Sequence, residues 1–173
     1  AFSEISVRDG RAAVRDGKTG ATVRLVLKDM RAQAASRTDP IEFALTGSYN
    51  DAAFTVDGVA GSVAALSGGE PFPLKLAAEI GGARIEIDGR IEAPLSGQGA
   101  DITVAARGTS LADLGAALGV PLPPLGPYSV AAQVGQEAAA IKLTGITARV
   151  GDSDVAGNAR VALGGARPSV SGK

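Results

Sequence analysis

The sequence predicts a mainly β protein, in which a curved, mostly antiparallel meandering sheet forms an open groove or a partly closed barrel or sandwich, with one short helix. Apolar residues alternate with polar or small ones along most of the 173 residues, which places them on one face of each strand. The long apolar runs that mark buried parallel strands are missing. Turn signals recur at about the length of one strand.

The alternation is clearest where every second residue is a large apolar one and the residues between are charged or small. Such stretches are residues 23–28, 41–46, 74–80, 84–88 and 128–134. Each stretch has one apolar face and one more polar, solvent-exposed face, as the strands of an antiparallel sheet do. The strands are therefore expected to present a shared apolar surface.

A loose repeat ends in glycine along these predicted strands. An apolar residue is followed by Thr, Asp or Ala and then by Gly, and Gly47 to Gly58 is 11 residues while Gly145 to Gly157 is 12. Glycine at such places forms a bulge, allows a sharp bend or opens a hairpin. The repeat favours a meander that bends at regular intervals, with glycines at Gly47, Gly58, Gly89, Gly145 and Gly157.

One segment departs from the alternation and predicts the helix. Ser110 and Asp113 fit a capping box, and Gly119 stands where a C-terminal cap belongs. Leucines at positions 111, 114 and 118 follow at helical spacing. The prolines at 121–127 exclude both helix and central strand. We therefore expect a helix of about two and a half turns, followed by a stiff loop.

The composition argues against several classes of protein. Lys and Arg number 17 against 18 Asp and Glu, so no basic field exists for a nucleic-acid backbone, and no nucleic-acid partner is expected. The chain has no His and no Cys, the commonest general base and the usual thiol nucleophile. We expect no enzymatic activity, no catalytic or metal-binding residue and no cofactor. With 3% aromatic residues, the buried layer is expected to be thin.

Three short patterns could carry chemistry, and each has a simpler structural interpretation. Residues 152–154 read Asp-Ser-Asp, too few ligands for a Ca²⁺ loop and typical of a tight turn. Glu86 and Asp88 share a strand face with Arg84 and Arg90, which would keep both carboxylates ionised. Residues 17–19 echo the end of a P-loop, but the glycine that motif needs five residues before position 17 is Ala in this chain. We interpret all three as structural.

Several stretches, taken in order, resemble the AsmA family. The first runs from the Gly-Gly-Glu-Pro-Phe-Pro segment at 68–73 to residue 91. The second is the helix with its proline-rich exit, residues 110–128. The third is Gly-Asp-Ser-Asp-Val-Ala-Gly at 151–157, with Arg-Pro at 167–168. Their order and spacing are similar to the region near the C-terminal end of such proteins, and the resemblance covers nearly the whole chain.

The resemblance implies a bacterial protein anchored in the inner membrane by one N-terminal helix, with a large periplasmic part tied to lipid and outer-membrane homeostasis. Family members are thought of as long curved sheets with an apolar groove, similar to chorein-type bridge proteins that conduct lipids. The family supplies no catalytic motif. We expect residues 1–173 to be a single AsmA-like, β-rich periplasmic module and a fragment of a longer membrane-anchored protein, whose anchoring helix this chain lacks.

The apolar strand faces are the candidate functional surface. One short helix cannot cover a sheet of about ten strands, and a large exposed apolar area indicates a ligand or partner. The occupant could be a phospholipid or other acyl-chain lipid, other segments of the parent protein, or the sheet itself rolled into a closed core. A structural scaffold that binds proteins of outer-membrane assembly is the alternative function, and a hydrolase is the weakest. The candidate residues are Val23, Leu25, Leu27, Ile41, Phe43, Leu45, Phe54, Val56, Leu74, Leu76, Ile80, Ile85, Ile87, Val130, Val134, Ile141 and Leu143.

Overall fold

The computed structural model describes residues 3–15, 22–96, 98–137, 140–162 and 169–172. It contains strands joined by short turns, and two helices. In chain order the elements are β1 (Ser3–Arg15), β2 (Thr22–Ala34), β3 (Pro40–Tyr49), β4 (Ala52–Ser62), α1 (Val63–Gly68), β5 (Phe72–Ile80), β6 (Ala83–Ala93), β7 (Gln98–Gly108), α2 (Leu111–Leu118), β8 (Tyr128–Glu137), β9 (Ala140–Val150), β10 (Ser153–Ala162) and β11 (Ser169–Gly172).

All the strands belong to one 11-stranded sheet, and their order in space is their order along the chain. Every neighbouring pair is antiparallel. The predicted mainly β, antiparallel meander is therefore confirmed. Because the order begins at β1 and ends at β11 with no pairing between them, the described sheet is open. A closed barrel or sandwich, which the sequence had left possible, is not formed.

The predicted helix is α2. The Ser110 hydroxyl accepts a hydrogen bond from the Asp113 N–H at 3.4 Å, and Gly119 ends the helix in the left-handed conformation with φ 72°. A second, six-residue helix, α1, was not predicted, because the sequence was interpreted as containing one short helix only. Its signal was local: Ser62 caps its start, and Gly69 ends it with φ 71°.

The glycines of the repeat do not open hairpins. Gly47, Gly58 and Gly89 lie inside paired strands, and Gly47, Gly145 and Gly157 lie where a strand register shifts. The hairpins turn elsewhere, as at residues 50–51, 81–82 and 151–152. Gly47 and Gly58 are glycines because a larger residue would collide with a neighbouring side chain. A Cβ built at Gly47 would meet Phe54 Cζ at 2.9 Å, and one built at Gly58 would meet Leu76 Cβ at 2.8 Å.

The buried layer is thin, as the composition predicted. Most of the buried apolar residues are alanines, and no large side chain among the described residues is fully buried. The accessible surface is 11121 Å², against roughly 7,700 Å² expected for a compact protein of this mass. A single-layer sheet explains the difference, since no second layer packs along its length. The buried hydrophobic residues of the described chain are Ala34, Ala60, Ala65, Ala83, Ala117, Tyr128 and Ala140.

Candidate functional site: an apolar face of the sheet

The strand registers place most of the large apolar residues on one side of the sheet. Directly opposed residues of an antiparallel pair project to the same face. Following such pairs from strand to strand traces a continuous row from β1 to β10. We call this side the apolar face and the other the polar face. The row consists of Val7, Met30, Leu45, Val56, Ala78, Ile85, Ala106, Val130, Ala148 and Val155.

The candidate residues whose side chains are described all lie on the apolar face. Val23 lies in β2 opposite Val14, and its side chain falls outside the described residues. The register shift between Leu27 and Asp29 keeps Leu25 and Leu27 on the same side as Met30. The candidates brought together are Leu25, Leu27, Ile41, Phe43, Leu45, Phe54, Val56, Leu74, Leu76, Ile80, Ile85, Ile87, Val130, Val134, Ile141 and Leu143.

Further residues of the same face were missed from the sequence. Ile102 and Val104 carry the same period-two signal and could have been found from it. Met30 could not, because a bulge at Lys28 breaks the alternation along the chain while preserving it in space. The missed residues include Val7, Met30, Phe72, Ile91, Ile102, Val104, Ile146, Val150 and Val155.

The apolar face is only partly covered. Leu25 is 40% exposed and Val130 is 39% exposed, and the other described candidates are half-buried. The helices lie at opposite strand ends: the Ala64 N–H of α1 donates to the Arg37 carbonyl at 2.8 Å, whereas α2 packs Ala117 against the turn at Gly81. The middle of each strand is therefore left without a helix across it.

The polar face carries ion pairs. Glu86 lies 2.9 Å from Arg84 and 3.2 Å from Arg107, while Arg84 also lies 3.1 Å from Glu79. The hydrogen bond from Arg84, reinforced by the charge of Arg107, holds the pKa of the Glu86 carboxyl below its usual value. Glu86 is therefore ionised at neutral pH. This fits a residue of a solvated charged face and does not fit a general acid, which must carry a proton at the working pH.

Asp88 and Arg90, the last two charges of this pattern, pair with residues outside it. Asp88 pairs with Lys75 across the β5–β6 ladder at 3.4 Å, and Arg90 pairs with Glu92 at 2.8 Å. A strand sequence shows which residues share a face, but only the register shows which residue of the next strand stands opposite. The four alternating charges are thus divided among three pairings: Arg84 with Glu86, Asp88 with Lys75, and Arg90 with Glu92.

The Asp-Ser-Asp segment spans the end of a turn and the start of β10. Asp152 lies in the turn between β9 and β10, and Asp154 lies exposed in β10. In the described part of the chain, no group of three or more Asp or Glu residues is arranged to hold a metal ion. Residues 17–19 and 167–168 lie outside the described residues.

Tyr128 is the one large side chain in the buried set. It is 4% exposed, its ring lies over Gly108, and its hydroxyl is buried with no hydrogen-bond partner among the residues that the structure describes. An unsatisfied buried hydroxyl opposes folding. Burial also raises the pKa of this hydroxyl, since the ionised form loses its solvation.

We expect Tyr128→Phe to raise the free energy of unfolding by up to about 1 kcal/mol, because it removes the unsatisfied hydroxyl. A raised pKa in the folded state means that the wild type keeps its full stability below about pH 10 and loses part of it as pH rises further. Urea unfolding at about pH 8 and pH 11 should show a smaller alkaline loss in the variant. Tyr49→Phe, at the chain's other tyrosine, is the control, and an equal effect there would refute the assignment.

Fold and surface together define a class of protein: an open, single-layer antiparallel β-sheet with one apolar face and one charged face. One short helix lies at each of the two ends of the strands. Among the helices of the described residues, none has the length and apolar character to cross a membrane. The chain is 33% identical over 132 residues to the AsmA family protein YhjG of Escherichia coli (strain K12).

This chain belongs to the AsmA family. The similarity covers 73% of the chain but only 19% of YhjG, so the chain spans about a fifth of the length of that curated relative. No protein-family model matches the sequence, and no solved structure matches it. The predicted family resemblance is confirmed.

Proposed function

We propose that this chain is a non-catalytic module of the bacterial cell envelope, and that its apolar face shelters the acyl chains of phospholipids or similar lipids during transfer or outer-membrane maintenance. The proposal extends to location: a periplasmic segment of a longer protein anchored in the inner membrane. Other segments of that parent protein would continue the sheet on either side. Membership of the AsmA family supports the envelope assignment.

The observation that carries the proposal is the incomplete burial of one continuous face. Apolar side chains line up across β1 to β10, yet no large one in the described residues is fully buried. A soluble protein rarely leaves so extended an apolar surface without a ligand or partner. The open sheet removes self-burial in a closed core as the explanation.

Acyl chains suit this surface chemically. They need only non-directional apolar contact, which contributes about 25 cal/mol per Å² removed from water. The apolar face offers Leu, Ile, Val and Phe side chains separated by Ala and Gly, for example Gly58 between Phe43 and Leu76. Such small residues leave shallow recesses beside the large ones, in which a flexible chain can lie without a specific polar pocket.

We expect lipid to co-purify with the chain. Organic-solvent extraction of the purified protein, followed by mass spectrometry, should recover phospholipid or fatty acid at a level comparable with the protein. Native mass spectrometry should show the corresponding mass addition and its loss after detergent exchange. Recovery of no lipid, from protein expressed in a bacterium and purified without detergent, would contradict the proposal.

An interaction scaffold is the second candidate. The outermost described strand, β1, carries Ile5 at 62% exposed, and its outer backbone groups can pair either with a further strand of the parent protein or with a strand of another protein. A protein that co-purifies through β1, with no lipid on the apolar face, would establish the scaffold in place of lipid handling.

A further inference from the structure

The loop after α2 forms an exposed apolar surface apart from the apolar face. Leu118 is 43% exposed, Val120 is 50% exposed and Leu125 is 52% exposed. No charged residue occurs between Asp113 and Glu137. This stretch therefore projects large apolar side chains into water with no charge among them.

The loop holds these side chains in a fixed arrangement. The Leu111 N–H donates to the Leu125 carbonyl at 2.8 Å, and the Val120 N–H donates to the Gly115 carbonyl at 2.8 Å. Leu122 packs on Gly115, where a built Cβ would meet its Cβ at 2.9 Å. Leu122 therefore packs inward, whereas Leu118, Val120 and Leu125 project into solvent. Hydrogen bonds within the α2–loop segment hold part of its backbone in place.

An arginine-lined cavity lies at the base of this loop. Arg84, Arg107 and Arg149 line a cavity of about 500 Å³ together with Pro127, at the loop's exit. The register sets Arg84 directly opposite Arg107, with Ser129 between Arg107 and Arg149. Like charges placed directly opposite oppose strand pairing, so this arrangement has a cost that an anion would offset.

The carboxylates nearby neutralise only part of this charge. Glu86 pairs with Arg84 and Arg107, and Glu79 pairs with Arg84. Asp154 stands opposite Arg149 in the register, but within the described chain Arg149 forms no ion pair. Arg149 and Arg107 are therefore the guanidinium groups best placed to meet an added anion.

We propose that the α2 end of the sheet docks on the surface of an anionic phospholipid bilayer. Leu118, Val120 and Leu125 enter the interfacial region, and the arginine-lined cavity receives lipid phosphate groups. Projecting apolar side chains beside basic groups fit a lipid surface, where apolar insertion and phosphate attraction act together. A protein partner would instead need a pocket complementary to each projecting side chain.

Vesicle flotation tests the proposal with the full chain. We expect the chain to bind vesicles of phosphatidylcholine containing about 30% phosphatidylglycerol roughly tenfold more tightly than pure phosphatidylcholine vesicles. The variant L118Q/V120Q/L125Q should lose at least about tenfold in binding to both vesicles. The variant R107Q/R149Q should lose only the preference for phosphatidylglycerol.

Matched controls lie at the other end of the strands. I5Q/V59Q/L95Q removes the same number of exposed apolar side chains, and R31Q/R90Q removes the same charge from the polar face. Both should bind like wild type. Absence of vesicle binding in wild type, an equal loss in the controls, or capture of a protein by the loop without vesicle binding would each overturn the proposal.

Membrane docking does not depend on the proposed function. A chain altered within the apolar face, at Leu76 and Ile87, should lose bound lipid yet still float with vesicles. Loss of vesicle binding in the loop variant, with extracted lipid unchanged, would separate docking from lipid holding. The two proposals therefore fail in different assays.

Discussion

The double variant Leu76→Gln and Ile87→Gln is expected to bind a fluorescent fatty acid about 30-fold more weakly than the wild type. These residues are direct partners in the β5–β6 ladder, near the middle of the apolar face, and both are half-buried. Replacing two apolar side chains by polar ones removes about 2 kcal/mol of contact with an acyl chain, which is about 30-fold in affinity. Titration followed by fluorescence gives the dissociation constant.

The same two strands provide a matched control. Lys75 and Asp88 are also direct partners, one residue along, and they lie on the polar face. Lys75→Gln with Asp88→Asn removes a well-exposed ion pair, which contributes little to stability. We expect its fatty-acid affinity to match that of the wild type. An equal fall in both double variants, or none in either, would remove the apolar face as the lipid-binding surface.

The variant Gly47→Val is expected to lower the free energy of unfolding by about 3 kcal/mol, or roughly 9 °C in melting temperature. Gly47 lies inside β3, between β2 and β4. A Cβ there would meet the carbonyl oxygen of Val26 and the Phe54 ring at 2.9 Å. Both strands would have to shift, and backbone cannot move aside as the end of a flexible side chain can.

Thr46→Val is the control for Gly47→Val. Thr46 is the preceding residue of β3, exposed on the polar face. Valine is similar in shape to threonine and favours strands, so we expect a change within about 0.5 kcal/mol. Urea unfolding followed by circular dichroism measures both variants. If Gly47→Val unfolds at the wild-type urea concentration, the packing of Phe54 over Gly47 does not contribute to the stability of the fold.

The sequence alone determined the strand periodicity, and with it the residues that share a face. The alternation at Leu74, Leu76 and Ile80 correctly predicted that these side chains lie on the same face of the sheet, because the two-residue period of a strand is a property of its backbone. The ends of α2 were also local, since Ser110 and Gly119 act on the adjacent turns. The AsmA resemblance likewise needed only the order of short motifs.

Only the tertiary structure decided what depends on neighbouring strands. Met30 joins the apolar face because a bulge shifts its register, and Asp88 meets Lys75 because of ladder pairing. Whether the sheet closes is also non-local, since it depends on whether β1 and β11 meet, a contact between opposite ends of the chain. A single strand's pattern fixes which way its side chains point, whereas burial depends on which other elements pack against them.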